Sequence, residues 1–168
     1  MSVKRPVTYR LKPITIKILH VWATLNDVAI EPTIVACLTR WIAQQAERRG
    51  KPFATAYRKA AAVATSAAWT KEYLRQVSGK PAPAEVLETY ELCNSGPKRQ
   101  VGLALELDVA TAVRLFCAMD GQRPSQLADA AIRGYVLQLA AARGKQFLAG
   151  FTAAVECATW PEDEGDNA

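Results

Sequence analysis

Three polar side chains able to bind nucleic-acid bases alternate with apolar residues near the start of the chain. Thr8, Arg10 and Lys12 are separated by Tyr9 and Leu11, so an extended segment places the polar residues on one face and the apolar pair on the other. Arg and Lys donate hydrogen bonds to guanine O6 and N7, and Thr can bond to a base or contact a thymine methyl group. The pattern predicts a short strand whose solvent face can make base contacts.

A second stretch with the same alternation begins at Gln100. Its outward positions are Gln100, Gly102, Ala104 and Glu106. Gln100 can pair with adenine, whereas Gly102 and Ala104 carry no donor, and Glu106 repels phosphates unless it accepts a hydrogen bond from cytosine. We therefore expect base contacts chiefly from the first strand.

Further cations flank both stretches and suit contacts to phosphate groups. They are Lys4, Arg5, Lys98 and Arg99. Residues 1 to 60 contain eleven Lys or Arg and three Asp or Glu, whereas residues 99 to 168 contain six and nine. A basic N-terminal region is typical of an arm or strand that meets phosphates, and a solvated terminus that only aids solubility is the alternative.

The two stretches belong to an internal repeat with a shift of 94 residues. Residues 48–53, RRGKPF, recur as residues 142–147, ARGKQF. Large apolar residues follow in the same register without a gap, as when Trp22 recurs as Phe116. The chain therefore contains two diverged copies of one unit.

Each copy is predicted to be a strand followed by two helices. In the second copy, Asp108 is placed to cap a helix that runs to about Met119, and Gly121 ends it. Ser125 is placed to cap a second helix that runs to about Arg143.

The first copy repeats this order less cleanly. Pro13 ends the strand, a helix spans about 16 to 25, Asn26 and Asp27 mark a turn, and Glu31 and Pro32 open a second helix. The chain then divides into a first unit over 1–50, a helical connector over 51–97, a second unit over 98–144, a C-terminal helix over 145–160 and an acidic, disordered tail over 161–168. The two units are expected to form one folded domain, mainly α with one two-stranded antiparallel ribbon.

The other reactive side chains form no catalytic or metal-binding pattern. His20 is the only histidine and has no acid or cysteine at ligand spacing. No phosphate loop, dinucleotide fingerprint or nucleophile elbow is present. The four cysteines are widely separated, which predicts buried free thiols in a reducing compartment; they are Cys37, Cys93, Cys117 and Cys157. We expect no enzymatic activity, metal or cofactor.

Hydropathy and the N-terminal sequence bear on location. No apolar run reaches the roughly 18 residues of a membrane span, and the N-terminus lacks the apolar stretch and cleavage site of a secretory signal. We expect a soluble, cytoplasmic protein without membrane contact.

The second copy resembles the ribbon-helix-helix family, which includes the Arc, MetJ and CopG repressors. It has a short alternating strand ending near Leu107, an amphipathic helix, a G-x-x-x-S-x-L motif at Gly121, Ser125 and Leu127, and a following apolar helix. The first copy departs from the motif, with Asp27 and Glu31 at the Gly and Ser positions.

The resemblance implies an obligate pair of units whose strands form one antiparallel ribbon in the DNA major groove. Both units lie in one chain here, so we expect an intramolecular pseudo-dimer. Physical reasoning also favours pairing, because one strand and two short helices cannot cover their own apolar surface. In the family, the start of the second helix holds a phosphate through backbone N–H groups, which carries over to Ser125 with Arg123 adjacent.

The predicted function is binding of double-stranded DNA as an accessory or regulatory protein. Among family roles, plasmid conjugation and DNA processing come first and transcriptional repression second, with other DNA-processing proteins as further partners. The alternative is a protein-interaction scaffold that keeps the fold but has lost DNA binding, in which Thr8, Arg10 and Lys12 only solubilise an exposed face. The sequence leaves open whether copies of this monomeric pseudo-dimer assemble on DNA.

Overall fold

The computed structural model describes residues 4–51, 54, 55, 58 and 97–158. Its elements, in chain order, are strand β1 (Lys4–Leu11), helices α1 (Pro13–Leu25) and α2 (Ile30–Arg48), strand β2 (Arg99–Glu106), and helices α3 (Leu107–Asp120), α4 (Pro124–Ala142) and α5 (Lys145–Cys157). The predicted class, mainly α with a two-stranded antiparallel ribbon, is confirmed. Most of the predicted connector and the whole acidic tail lie outside the described residues.

Of the helices in the described ranges, none alone combines the length and apolarity needed to cross a bilayer, and α1 and α2 meet that test only as a pair bent by 114°.

The register of the ribbon relates the two copies by a pseudo-two-fold axis. Thr8 lies opposite Gly102, its own counterpart at the 94-residue shift. The next pair is Tyr9 opposite Val101. Each pair on one side of Thr8 consists of the counterparts of the pair at the same distance on the other side. The sequence repeat is therefore also a symmetry of the strand pairing.

Two backbone turns repeat across the same axis. Asp27 and Gly121 have φ of 51° and 70°, and Gly50 and Gly144 have φ of 92° and 105°. Left-handed backbone costs most side chains about 1–2 kcal/mol, and Asp is among the residues that adopt it more readily. The turn after the first helix of each unit thus persists although Asp replaces Gly in the first copy.

The first helix of each unit begins earlier than predicted. Helix α1 starts at Pro13, because a proline at the first helical position needs no N–H and its φ already suits the helix. Helix α3 starts at Leu107, so Asp108 lies in the first turn and Glu106 occupies the cap position. The carboxylate of Asp108 there suits the positive end of the helix dipole.

The predicted cap of α4 is wrong. The cap position is Arg123, whose backbone N–H donates to Oε1 of Gln126 at 3.0 Å. Ser125 lies inside the first turn, and its hydroxyl bonds to the backbone of strand β1 instead. Helix α5 ends at Cys157, before the predicted end at 160.

The hydrophobic core lies between the inner face of the ribbon and the helices of both copies. Leu11, Leu38, Leu105, Phe116 and Ile132 are each at most 1% exposed. Strand β1 and helix α1 pack against α4 of the other copy, and α2 packs against both α3 and α4. Each fully buried side chain of this kind contributes about 1.5–3 kcal/mol. Neither copy could bury these side chains alone.

The repeated arginine of the RRGKPF and ARGKQF segments explains part of this interlocking. The guanidinium carbon of Arg143 lies 4.7 Å from the ring centroid of Trp22 and 4.9 Å from that of Phe147. Its counterpart Arg49, which is 1% exposed, lies 5.6 Å from the ring centroid of Phe116. Each arginine thus packs on the first helix of the other copy through a cation–π contact.

The described thiols differ in exposure. Cys37 and Cys117 are buried, as predicted, but Cys157 is exposed. The prediction fails at Cys157 because α5 buries one side only, through Phe151 and Val155. Burial raises the pKa of the Cys37 thiol to about 12. Cys93 lies outside the described residues.

Candidate nucleic-acid interface

Alternate residues of the ribbon point to solvent. Tyr9, Leu11, Leu103 and Leu105 are buried against the helices, and side chains of the opposite parity lie on the outer face. The outer positions in chain order are Lys4, Pro6, Thr8, Arg10, Gln100, Gly102, Ala104 and Glu106. Of the four residues predicted to contact bases, the structure places Thr8, Arg10 and Gln100 together on this face.

The two strands bring two long hydrogen-bonding side chains to the same place at one end of the outer face. Arg10 lies directly opposite Gln100 in the antiparallel register, and both are exposed. Side chains directly opposite one another have Cβ atoms about 4.5–5.5 Å apart. The sequence predicted a difference between a rich first strand and a poor second strand. In the structure, the difference lies between the two ends of the ribbon.

Lys12 does not stand on the ribbon face. The strand was predicted to include it, but β1 ends at Leu11 and Lys12 occupies the cap position of α1. Its side chain is only partly exposed, and its backbone N–H donates to Oδ2 of Asp129 at 3.4 Å. Pro13 forces this change, because its fixed φ starts the helix immediately after Lys12. Lys12 therefore lies at the corner of the interface, just beyond Arg10.

The N-terminus of α4 is attached to this end of the ribbon. The hydroxyl oxygen of Ser125 accepts a hydrogen bond from the backbone N–H of Arg10 at 3.0 Å. Arg123, the exposed cap residue, lies two positions earlier. The free N–H groups of the first turn and the helix dipole make such a terminus attractive to anions.

The first copy makes the equivalent bond with a different side chain. Oε1 of Glu31 accepts a hydrogen bond from the backbone N–H of Ala104 at 3.4 Å. Ala104 and Glu31 are the counterparts of Arg10 and Ser125 at the 94-residue shift. Glu31 thus keeps the attachment of helix to ribbon but places a carboxylate where the other copy has a neutral hydroxyl. The sequence showed the substitution but not the bond.

A buried carboxylate supports the Arg10 end from beneath. Asp129 is 1% exposed, and it accepts hydrogen bonds from the hydroxyl of Thr15, from the backbone N–H of Lys12 at 3.4 Å and from Nε of Arg133 at 3.1 Å. These bonds fix the corner between β1 and α1 onto α4. Sequence reasoning missed this group, although a charged pair four residues apart within an apolar helix was the available signal.

The other copy replaces that polar group with an apolar one. The counterparts of Thr15, Asp129 and Arg133 are Val109, Val35 and Thr39. Val35 and Val109 are partly buried and pack against the core. The two corners of the ribbon are therefore held by different forces, hydrogen bonds at one and apolar packing at the other.

Charge separates the two ends further. Five cationic residues lie at or next to the Arg10 end of the ribbon: Arg10, Lys12, Lys98, Arg99 and Arg123. Three cationic and three anionic residues lie at or next to the opposite end: Lys4, Arg5, Arg40, Glu31, Glu106 and Asp108. We call these the basic end and the mixed end. The predicted phosphate contacts are thereby divided, because Lys98, Arg99, Arg123 and Ser125 lie at the basic end and Lys4 and Arg5 at the mixed end.

Neither a metal site among the described residues nor a known relative accompanies this interface. Within the described ranges, no three His, Cys, Asp or Glu side chains are grouped so that they could hold a metal ion. No family model, curated protein or solved structure in the comparisons matches this chain.

Proposed function

We propose that this protein binds double-stranded DNA by placing the exposed face of the ribbon in the major groove. The observation that carries the proposal is Arg10 directly opposite Gln100 on that face, at the end where cations gather. Arg recognises guanine through O6 and N7, and Gln recognises adenine through N6 and N7. The groove, about 12 Å wide, admits two strands about 4.8 Å apart.

Phosphate contacts complete the proposed complex. Lys98 precedes β2, Arg99 is the first residue of β2, and Arg123 precedes α4, so cations lie on two sides of the Arg10–Gln100 pair. Lys12 moves in this proposal from a base contact to a phosphate contact, since it follows the strand. The N-terminus of α4 offers backbone N–H groups to a further phosphate. The ribbon-helix-helix resemblance of the second copy supports this arrangement.

The biological role that fits is sequence-preferring DNA binding without catalysis. Accessory action in plasmid conjugation or DNA processing and regulation of transcription both require such binding, and both remain part of the proposal. The buried thiols of Cys37 and Cys117 suit a reducing cytoplasm.

Salt-dependent binding to a fluorescently labelled duplex of random sequence tests the proposal. Neutralising phosphates with Lys or Arg releases counterions, and the slope of log K against log salt is about −0.9 per contact. Four contacts, from Lys12, Lys98, Arg99 and Arg123, give a slope of about −3.6, or about a 150-fold loss of affinity between about 50 and 200 mM salt. Fluorescence anisotropy at five salt concentrations measures it.

A matched pair of variants locates the contacts. Arg123→Ala is expected to reduce the slope by about one contact. Lys145→Ala removes an exposed cation at the far end of α4, about 27 Å along a 19-residue helix, and is expected to leave the slope unchanged. Absence of duplex binding at low salt overturns the proposal and favours the scaffold function.

A further inference from the structure

We infer that the DNA site of this protein is one-sided, with specific bases confined to one half and no inverted repeat. The inference rests on the proposed function and adds the class of site. A pseudo-two-fold protein reads an inverted repeat only if its two halves present matching side chains. The ribbon allows this comparison position by position, because the axis passes through Thr8 and Gly102.

The base-reading layer is present on one side of the axis only. At the basic end, the pair nearest the axis on the outer face is Arg10 opposite Gln100, and at the mixed end the equivalent pair is Pro6 opposite Ala104. Pro and Ala offer no side-chain hydrogen bond and can at best touch a thymine methyl group. In the pair nearest the axis, the long polar side chains therefore lie on one side only, whereas Lys4 opposite Glu106 lies four residues from the axis at the mixed end.

Distance along the strand locates the bases that are read. Arg10 lies two residues from the axis, which is about 7 Å at the rise of a β-strand. Base pairs stack at about 3.4 Å. The recognised bases are therefore centred about two base pairs from the axis, on the basic side.

The phosphate layer has the same polarity at the helix N-termini, whereas Lys98 and Arg99 have cationic counterparts at the mixed end in Lys4 and Arg5. At the basic end, Arg123 precedes the first turn of α4 and Ser125 attaches that turn to the ribbon. At the mixed end, the counterpart of Arg123 is Ala29, and Glu31 places a carboxylate at the start of α2. A carboxylate beside a helix N-terminus competes with a phosphate and repels it. Glu106, the counterpart of Lys12, adds a second negative charge on this side.

Selection of binding sites from random duplexes by the full chain tests the inference. The expected consensus is non-palindromic, with two or three adjacent specified base pairs on one side of the protected region. A consensus with inverted-repeat symmetry overturns the inference, as does salt-dependent binding that enriches no sequence. Absence of any binding at low salt overturns the proposed function instead, so the two failures are distinguishable.

A variant that copies side chains of the basic end onto the mixed end provides a second readout. Pro6→Gln, Glu31→Ser and Ala104→Arg together give the mixed end the side chains of the basic end at three equivalent positions. The variant is expected to select an inverted repeat and to bind that repeat about tenfold more tightly than the one-sided site, consistent with one added Arg–guanine contact. Ala104→Arg alone changes one outer-face position and serves if the triple variant does not fold, with the same direction expected. An unchanged one-sided consensus in a folded variant overturns the inference.

Discussion

Replacing Asp129 with alanine is expected to lower the free energy of unfolding by about 3 kcal/mol. The carboxylate is 1% exposed and accepts bonds from Thr15, Lys12 and Arg133. Removing one member of a buried ion pair costs about 3–5 kcal/mol, because the other member is left without compensation. Here the lower end of that range applies, since the side chain of Arg133 is 18% exposed and the bond from Lys12 is long, at 3.4 Å. Asp129→Asn, which keeps an acceptor for Thr15, is expected to lose about half as much.

The chain itself supplies the control for this prediction. The other copy holds its corner with Val109, Val35 and Thr39, so the triple variant Thr15→Val, Asp129→Val, Arg133→Thr copies an arrangement the fold already accepts. Replacing a whole buried polar group by apolar residues is often close to neutral. The triple variant is therefore expected to be more stable than Asp129→Ala. Urea unfolding followed by circular dichroism at neutral pH measures all four proteins. A loss below about 0.5 kcal/mol for Asp129→Ala, within the ordinary range of surface substitutions, would refute the reasoning.

Two further predictions concern the ribbon and the contact between α2 and α4. Burial, with a smaller contribution from Cys117, raises the pKa of Tyr9 to about 12 from 10.0. The folded state therefore favours the neutral phenol, and the contribution of this preference to the free energy of unfolding is complete below pH 10. That contribution, about 2–3 kcal/mol, is lost as pH rises from about 10 through 12. Unfolding free energies measured across this range should therefore fall less steeply with pH for Tyr9→Phe than for the wild-type protein. Identical slopes for the two proteins would contradict the assignment. A Cβ at Gly134 would lie 2.4 Å from Cζ3 of Trp41, which is 6% exposed, so Gly134→Ala is expected to cost about 1–3 kcal/mol. Trp41→Phe in that background should recover part of the loss, and a Gly134→Ala protein with wild-type thermal stability would exclude the close contact.

The sequence predicted the elements of the ribbon well because their signals are local. Alternation around Tyr9 and around Leu103 predicted two strands with the observed buried faces, and Gly121 predicted the left-handed turn after α3. The repeat also predicted that the strands would pair. It could not predict which residues lie on the axis, and the meeting of Arg10 with Gln100 depends on that register.

The missed features depend on contacts between distant parts of the chain. Ser125 looks like a helix cap because of its position after Pro124. Its hydroxyl instead accepts a hydrogen bond from the N–H of Arg10, 115 residues away in sequence. Glu31 looks like the loss of a motif residue until Ala104 is found beside it. Asp129 is similar, since its partners Lys12 and Thr15 come from the other copy. No local propensity encodes such bonds.

The exchange of arginines between the copies has a consequence for assembly. Arg143 packs on Trp22, and Arg49 packs on Phe116, so each half completes the other. In separate polypeptides, halves with such contacts could also pair with their own kind, giving mixtures whose composition follows concentration. Joining them in one polypeptide ensures that unlike halves meet in equal number and at a high effective concentration. The covalent link thereby allows the two halves to diverge in sequence while remaining a single folded unit.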